Sequence, residues 1–537
     1  MTKSLSLLLV AAVAAVTSVA AVTPAGTFTD TSAAPSVDDA FRAFWAAPTV
    51  LDATAAAAVV ARSGVSFDEA RRRLAQGRPY SADVPRGVVK ASRHVFDVEF
   101  PYTLDVPATY DPATKYQVRV QLHGGVGRPD PGARGDGSIG ALGGAEQIYV
   151  LPQAWAAAQW WSSSQIENVP AILDYVKRTY NVDENRVVLS GVSDGGTAAY
   201  FFAMRHTTPF ASFLPLNGFI VVLDNRSLRI AGGLFPHNLT NKPFFVVNGG
   251  QDPLYPAAEV TPIVTSFAAG GLDVIYRPQA SAGHNTSWWP GLKDEVEAWV
   301  SAHPRQPHPA HLTWQTDDVA SGNRAHWLVV DRLAPAAPAD ELPDINMIAA
   351  GAEPNFGLRS SGMRVVAVLP GSNAATFGFH PDDVVASIND RALPAGLDLT
   401  EFLGIYDPGL SLHFVVARGP TTVDLRGTYQ PVAMTRLTSL FTTRGPAGRV
   451  DVTRQGNTVG AVTRGVAAFT LLLSPDVFDF AAPITVVADG VTVFNGKVKP
   501  SVETLMKWAA IDNDRTMLYG AEVHIARPAV RPAPRGR

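Results

Sequence analysis

The stretch 185–206, NRVVLSGVSDGGTAAYFFAMRH, runs from a short apolar β-branched segment through a serine set among glycines to small and aromatic residues. The segment RVVLSG reads as a buried strand, and GGTAAYFFAMRH reads as a helix. Ser193 lies between Gly191 and Gly195, with Gly196 behind it. A tight turn uses one or two glycines, so the others need a second reason. On a sharp strand-to-helix turn a serine hydroxyl is pushed out at the end of the sheet, and bulk beside it would clash with neighbouring backbone. In a chain with 45 glycines the bare Gly-x-Ser-x-Gly pattern could arise by chance. Placed between strand and helix, it predicts a nucleophile.

A serine hydroxyl attacks poorly unless a base takes its proton, and the base needs a carboxylate to orient it. The expected chain order is serine, acid, histidine. FFVVNGGQDPLYP sets Asp252 just past the carboxyl end of a strand, and VIYRPQASAGHNTSWWP sets His284 in a loop between the next strand and a helix. Both would emerge at the same edge of the sheet as Ser193. Of the 12 histidines, His206 and His237 precede the acid, while His303, His308 and His311 lie in a proline-rich boundary. His284 is therefore the base. Asp224, in VVLDNRS, is the alternative to Asp252.

The loop QLHGGVGRPD follows an earlier strand, and its glycines let N–H groups approach a substrate oxygen. The amides of Gly125 and Asp194 are the expected oxyanion donors, with Gly124 and Val126 as neighbouring alternatives; only the main chain of Asp194 is used, and His123 is read as structural. AWAAAQWWSSS carries Trp155, Trp160 and Trp161, and Trp288 and Trp289 follow His284. Adjacent tryptophans are not expected to share one core, so Trp160, Trp161 and Trp288 are candidate substrate contacts.

Working outward, YQVRVQLHGG, AEQIYVLPQ, KPFFVVNGG and LDVIYRP read as strands, alternating with the helices VPAILDYVKRTYNV and LKDEVEAWVSAH. Such alternation predicts an α/β fold, a doubly wound and mostly parallel sheet. Ahead of it, Val37 to Gly77 is helical, with Ser66 and Glu69 at capping-box spacing. After His303 the run HPRQPHPAH marks a boundary, and short strands follow. In ITVVADGVTVFNG, Asp489-Gly490 predicts a hairpin and Asn495-Gly496 another turn.

The 537 residues suggest roughly three or four domains. Lys plus Arg number 44 against 48 Asp plus Glu, so there is no basic footprint for nucleic acid. The opening MTKSLSLLLVAAVAAVTSVAAV has Lys3, an apolar run from Leu5 to Val16, and Ser18-Val19-Ala20 as a cleavage pattern. Thr17 and Ser18 interrupt the run short of a bilayer span, so export with cleavage is expected rather than a membrane anchor. With no cysteine, stability must come from core packing. No metal or organic cofactor is called for.

LHGG, GVSDGG, NGGQDPLYP and AGHN, within residues 100–303, resemble the α/β-hydrolase superfamily, nearest its exported esterase and polyhydroxybutyrate-depolymerase-like branches. That resemblance implies Ser193 as nucleophile, Asp252 as acid and His284 as base; Val126 departs from the HGGG form of esterases. NFGLRSSGMRVVAVLPGSNAATFGFHPDDVVASIND is similar to a bacterial PDZ domain, with Asp382 where a glycine is usual. The likeness implies that Phe356, Gly357 and Leu358 form a loop binding a peptide carboxylate; a spacer that binds nothing is the alternative.

The expected organisation is a signal peptide (1–20), a helical segment (37–90), a hydrolase domain (91–303), a PDZ domain (344–430), a β-rich domain (310–333 with 432–527) and a tail (528–537). The expected activity is exported serine hydrolysis of small or polymeric carboxylic esters. Two alternatives stand beside it: a peptidase assisted by the PDZ domain, and a binding scaffold without activity.

Overall fold

The computed structural model describes residues 35–130, 137–334, 347–393, 399, 403, 406–407, 409–430, 432–441 and 446–526. The expected signal peptide and tail lie outside the described residues.

The central sheet has eight strands: β1 (Gly87–Val95), β2 (Val98–Val106), β3 (Tyr116–Leu122), β4 (Ile148–Pro152), β5 (Val182–Val192), β6 (Ser212–Leu216), β7 (Phe244–Gly249) and β8 (Val274–Gln279). Their spatial order is β1-β2-β4-β3-β5-β6-β7-β8. β1 and β2 join antiparallel, β2 joins β4 antiparallel, and every pairing from β4 to β8 is parallel. Parallel strands need covering on both faces, and β6 and β7 are buried at every residue. Phe213, Phe244 and Phe202 lie in one layer of packing, and Phe245, Trp289 and Trp299 in the other. The result is a mixed, mostly parallel sheet covered on both faces, the α/β architecture expected from the alternation of strands and helices.

Seven helices accompany it: α1 (Val37–Ala46), α2 (Val50–Arg62), α3 (Phe67–Gln76), α4 (Ser163–Thr179), α5 (Asp194–Arg205), α6 (Ala257–Ala269) and α7 (Trp289–Ala302). Ser66 caps α3 by accepting from the Glu69 N–H at 3.3 Å. The reciprocal half of the expected capping box is replaced, because the Glu69 carboxylate binds Arg72 and Arg73 instead. α1–α3 pack with a helix near the other end of the chain, Val502–Asp512, in one apolar cluster containing Phe41, Phe44, Leu505 and Met506.

β-rich sheets lie elsewhere. His311–Thr316 pairs antiparallel with Gly448–Gln455, and Leu328–Leu333 with Val466–Leu473. Trp314, Trp327, Phe469 and Ile484 share the resulting core. Asp489 (φ 48°) and Gly490 (φ 79°) both take left-handed backbone between Ile484–Ala488 and Val491–Gly496, as a two-residue type I′ hairpin requires. Asn495-Gly496 is not the second turn its sequence suggested: Gly496 pairs with Ile484 at the end of the strand. The stretch 356–430 has its own core, in which Phe356 packs on Phe377, Phe379, Phe414 and Tyr429.

Candidate active site

Ser193 follows β5 directly and caps α5, with φ 58° and ψ −120°. Such backbone costs a non-glycine residue about 1–3 kcal/mol and persists only where surrounding structure imposes it. Here the imposing contacts are visible. The Ser193 N–H donates to the Leu216 carbonyl of β6 at 2.9 Å, and its carbonyl accepts from Thr197 N–H at 2.9 Å. A Cβ on Gly191 would lie 2.1 Å from the Gly195 carbonyl oxygen, and one on Gly195 would lie 2.1 Å from that of Leu122. The glycines are therefore close-packing positions that let β3, β5 and α5 meet behind the serine.

His284, after β8, brings Nε2 to 2.8 Å from Ser193 Oγ, and its Nδ1 lies 2.7 Å from Asp252 Oδ2. A carboxylate accepts only, so Nδ1 carries the proton and Nε2 is left to accept from the serine hydroxyl. The second Asp252 oxygen accepts from the N–H groups of Leu254 (2.8 Å) and Tyr255 (3.0 Å). Burial alone would push this carboxyl up; the Tyr255 N–H, His284 and the Leu254 N–H outweigh it and hold Asp252 below its usual range. The Asp252 side chain is 0% exposed and His284 23%, so the carboxylate is shielded while the imidazole stays reachable. Asp224, the alternative acid, lies exposed at the end of a 3₁₀ turn (Ile220–Asp224).

The loop after β3 faces the serine. Gly125 is exposed with φ 68°. Among the described residues neither the Gly125 nor the Asp194 N–H has an acceptor. The Val126 N–H, by contrast, donates to Asp194 Oδ2 at 2.9 Å, which removes it as an oxyanion donor. The Asp194 side chain therefore has a task that its main-chain reading passed over: it ties the loop to the start of α5. The same loop is braced from behind. His123 Nε2 accepts from Ala154 N–H at 3.0 Å, so its Nδ1–H donates to Gly124 O, and Trp160 Nε1–H donates to the His123 carbonyl at 2.8 Å.

The aromatic expectation is corrected. Trp160 and Trp161 are both buried in the same cluster, and Trp288 and Trp289 are both buried in the cluster on the opposite face. Neighbours alternate inward and outward along a strand, but these pairs sit at turns leading into α4 and α7, where consecutive side chains can both face the core. Their side chains are taken up in core packing. Sequence reading missed Tyr255, whose ring meets His284 edge-on at 5.5 Å between centroids and Phe219 at 5.6 Å. Burial, with the negative charges of Asp194 and Asp252 nearby, pushes the Tyr255 hydroxyl up to about 12. It also missed Asn217, whose side-chain N–H donates to the Asn285 carbonyl and fixes the histidine loop.

Phe356, Gly357 and Leu358 are remote in sequence from this chemistry. The side chains of Phe356 and Leu358 are buried, and Gly357 takes φ 87° with its carbonyl accepting from Leu369 N–H. Leu358–Ser361 forms the end strand of a sheet ordered from there to Thr421–Thr428. Among the described residues no group of three His, Asp or Glu side chains is gathered to hold a metal ion, and no helix is long and apolar enough to cross a membrane.

No protein-family model matches the chain, and no curated protein matches it. Similar solved structures include a thermostable esterase at 22% identity, with 41% of this chain and 63% of that one covered and a TM-score of 0.33. The chain thus spans less than two thirds of that protein's length. A ferulic acid esterase matches at 16% identity over 40% of this chain and 97% of its own, with a TM-score of 0.32. An S-formylglutathione hydrolase from Staphylococcus aureus matches at 14% identity over 40% and 98%, with a TM-score of 0.31.

Proposed function

We propose that the protein is an exported serine hydrolase that cleaves carboxylic esters through an acyl-enzyme. The observation that carries this reading is the unbroken hydrogen-bond chain from Ser193 through His284 to Asp252. Ser193 Oγ attacks the ester carbonyl carbon while its proton passes to His284 Nε2. The charge that develops on the carbonyl oxygen is held by the N–H groups of Gly125 and Asp194, the latter at the positive end of α5. The alkoxide leaves with the proton from His284. Water then repeats the sequence on the acyl-enzyme and releases the acid. Asp252 fixes the imidazole tautomer and balances the cation formed during each transfer.

The proposal of export rests on the opening segment, with Lys3, the apolar run Leu5 to Val16 and the small-residue pattern Ser18-Val19-Ala20. For the 356–430 stretch we propose binding of a peptide carboxyl end at the loop Phe356, Gly357 and Leu358, supported by the sequence likeness and by the edge position of Leu358–Ser361. The catalytic reading is tested by Ser193→Ala assayed on a p-nitrophenyl ester. Loss of nearly all turnover with unchanged folding is the expected result, and unaltered turnover would refute it.

A further inference from the structure

A cavity of about 570 Å³ opens between α1, the end of α3 and the turn Gly77–Pro79, with Arg178 of α4 among its walls. None of the proposed catalytic residues lines it. Its volume falls in the range of small-molecule sites. Five arginines line it: Arg42, Arg72, Arg73, Arg78 and Arg178. Four are neutralised by carboxylates: Arg42 by Asp39, Arg72 by Glu69, Arg73 by Glu69 and Asp38, and Arg178 by Asp174.

Arg78 is the exception, with no carboxylate within 4 Å among the described residues. Its two hydrogen bonds go to neutral acceptors, the Trp45 carbonyl at 3.1 Å and Asn513 Oδ1 at 3.0 Å. Its guanidinium lies 5.6 Å from the centroid of the Trp45 ring. A half-buried cation without a paired carboxylate is costly, and burial, only partly offset by Tyr80 and Asp174, pulls the Arg78 guanidinium down to about 10. Five guanidiniums thus face four carboxylates, leaving one positive charge beside a wall of Phe41, Trp45 and Pro79.

The geometry points to a binding site for a small monocarboxylate with an apolar or aromatic body, its carboxylate on Arg78 and its body against Trp45 and Phe41. A single spare charge suits a carboxylate better than a phosphate, which carries more charge and would need further free cations. The aromatic wall contributes area only to a ligand with an apolar part. The site does not depend on the chemistry at Ser193.

Ligand-observed NMR titration with phenylacetate tests it, with 2-phenylethanol as the neutral analogue and sulfate as the inorganic anion. Saturable phenylacetate binding at about millimolar concentration is expected, without saturation by 2-phenylethanol or displacement by equimolar sulfate. Arg78→Gln is expected to weaken it by about tenfold or more, the loss for one charged hydrogen bond. Ala46→Glu, on the exposed last residue of α1 in the cavity lining, keeps Arg78 and supplies an internal carboxylate. It is expected to abolish binding, and it decides the matter if Arg78→Gln does not fold. Ser193→Ala should bind phenylacetate as the unaltered protein does, so this test and that of the hydrolase reading fail separately. No saturable binding to the unaltered protein, undiminished binding to Ala46→Glu, or equal competition by sulfate would overturn the inference.

Discussion

In Asp194→Ala the Val126 N–H loses the acceptor that stands 2.9 Å away, and the loop carrying Gly125 is freed from α5. A hydrogen bond to a charged group is worth about 1.5–3 kcal/mol, which sets the lower part of the expected effect. If the Gly125 N–H then leaves the place where the oxyanion forms, the transition state loses one donor, a term of about 3–4 kcal/mol. At 1.36 kcal/mol per tenfold, kcat on p-nitrophenyl acetate should fall by about 10- to 1000-fold. KM should change little, because the lost interaction belongs to the transition state. Asp194→Asn keeps a neutral acceptor and should lose only about fivefold, near 1 kcal/mol. Steady-state kinetics near pH 7, with thermal melts to check folding, provide the assay. Turnover of Asp194→Ala within about twofold of the unaltered protein, or a change confined to KM, would refute the reasoning.

Asp514 lies buried against Arg305 at 2.7 Å; burial would raise its carboxyl, but Arg305, Lys177 and Thr516 hold it well below its usual range. Asp514→Asn should destabilise by about 3–5 kcal/mol at neutral pH, since Arg305 is left unpaired. A depressed folded-state value means that this stability is present above the unfolded value and lost as pH falls through the folded one. The gap between the two proteins in urea denaturation should therefore narrow in acid, and a gap that widens would contradict it. Trp160→Ala should cost about 3–5 kcal/mol in stability as a core truncation, read from the same denaturation curves, whereas a change in KM for bulky esters with stability intact would restore its reading as a cleft residue.

What was legible in the sequence was the placement of side chains bound to strong local patterns. Ser193 could be read because glycine placement, strand and helix all agree within seven residues, and His284 and Asp252 because each follows a continuous apolar run. The β1–β2 hairpin was less visible: its turn, Phe96-Asp97, lacks the Asn-Gly or Asp-Gly signal, and Phe96 takes φ 53° without it. β6 was missed because it is five residues long and contains Pro215, a residue that argues against an interior strand. The helix Val502–Asp512, begun by Ser501 with its side chain accepting from Thr504 N–H, was hidden in a region rich in strands. Side-chain tasks such as that of Asp194 depend on a contact between residues 68 apart, and no single-sequence periodicity carries that information.

The central claim is that Ser193 Oγ is made reactive by His284. Fluorophosphonate treatment of the folded protein, followed by mass spectrometry of its peptides, reads this directly. The account predicts a single adduct on Ser193 that disappears in His284→Ala; no adduct there, or undiminished labelling without the imidazole, would contradict it.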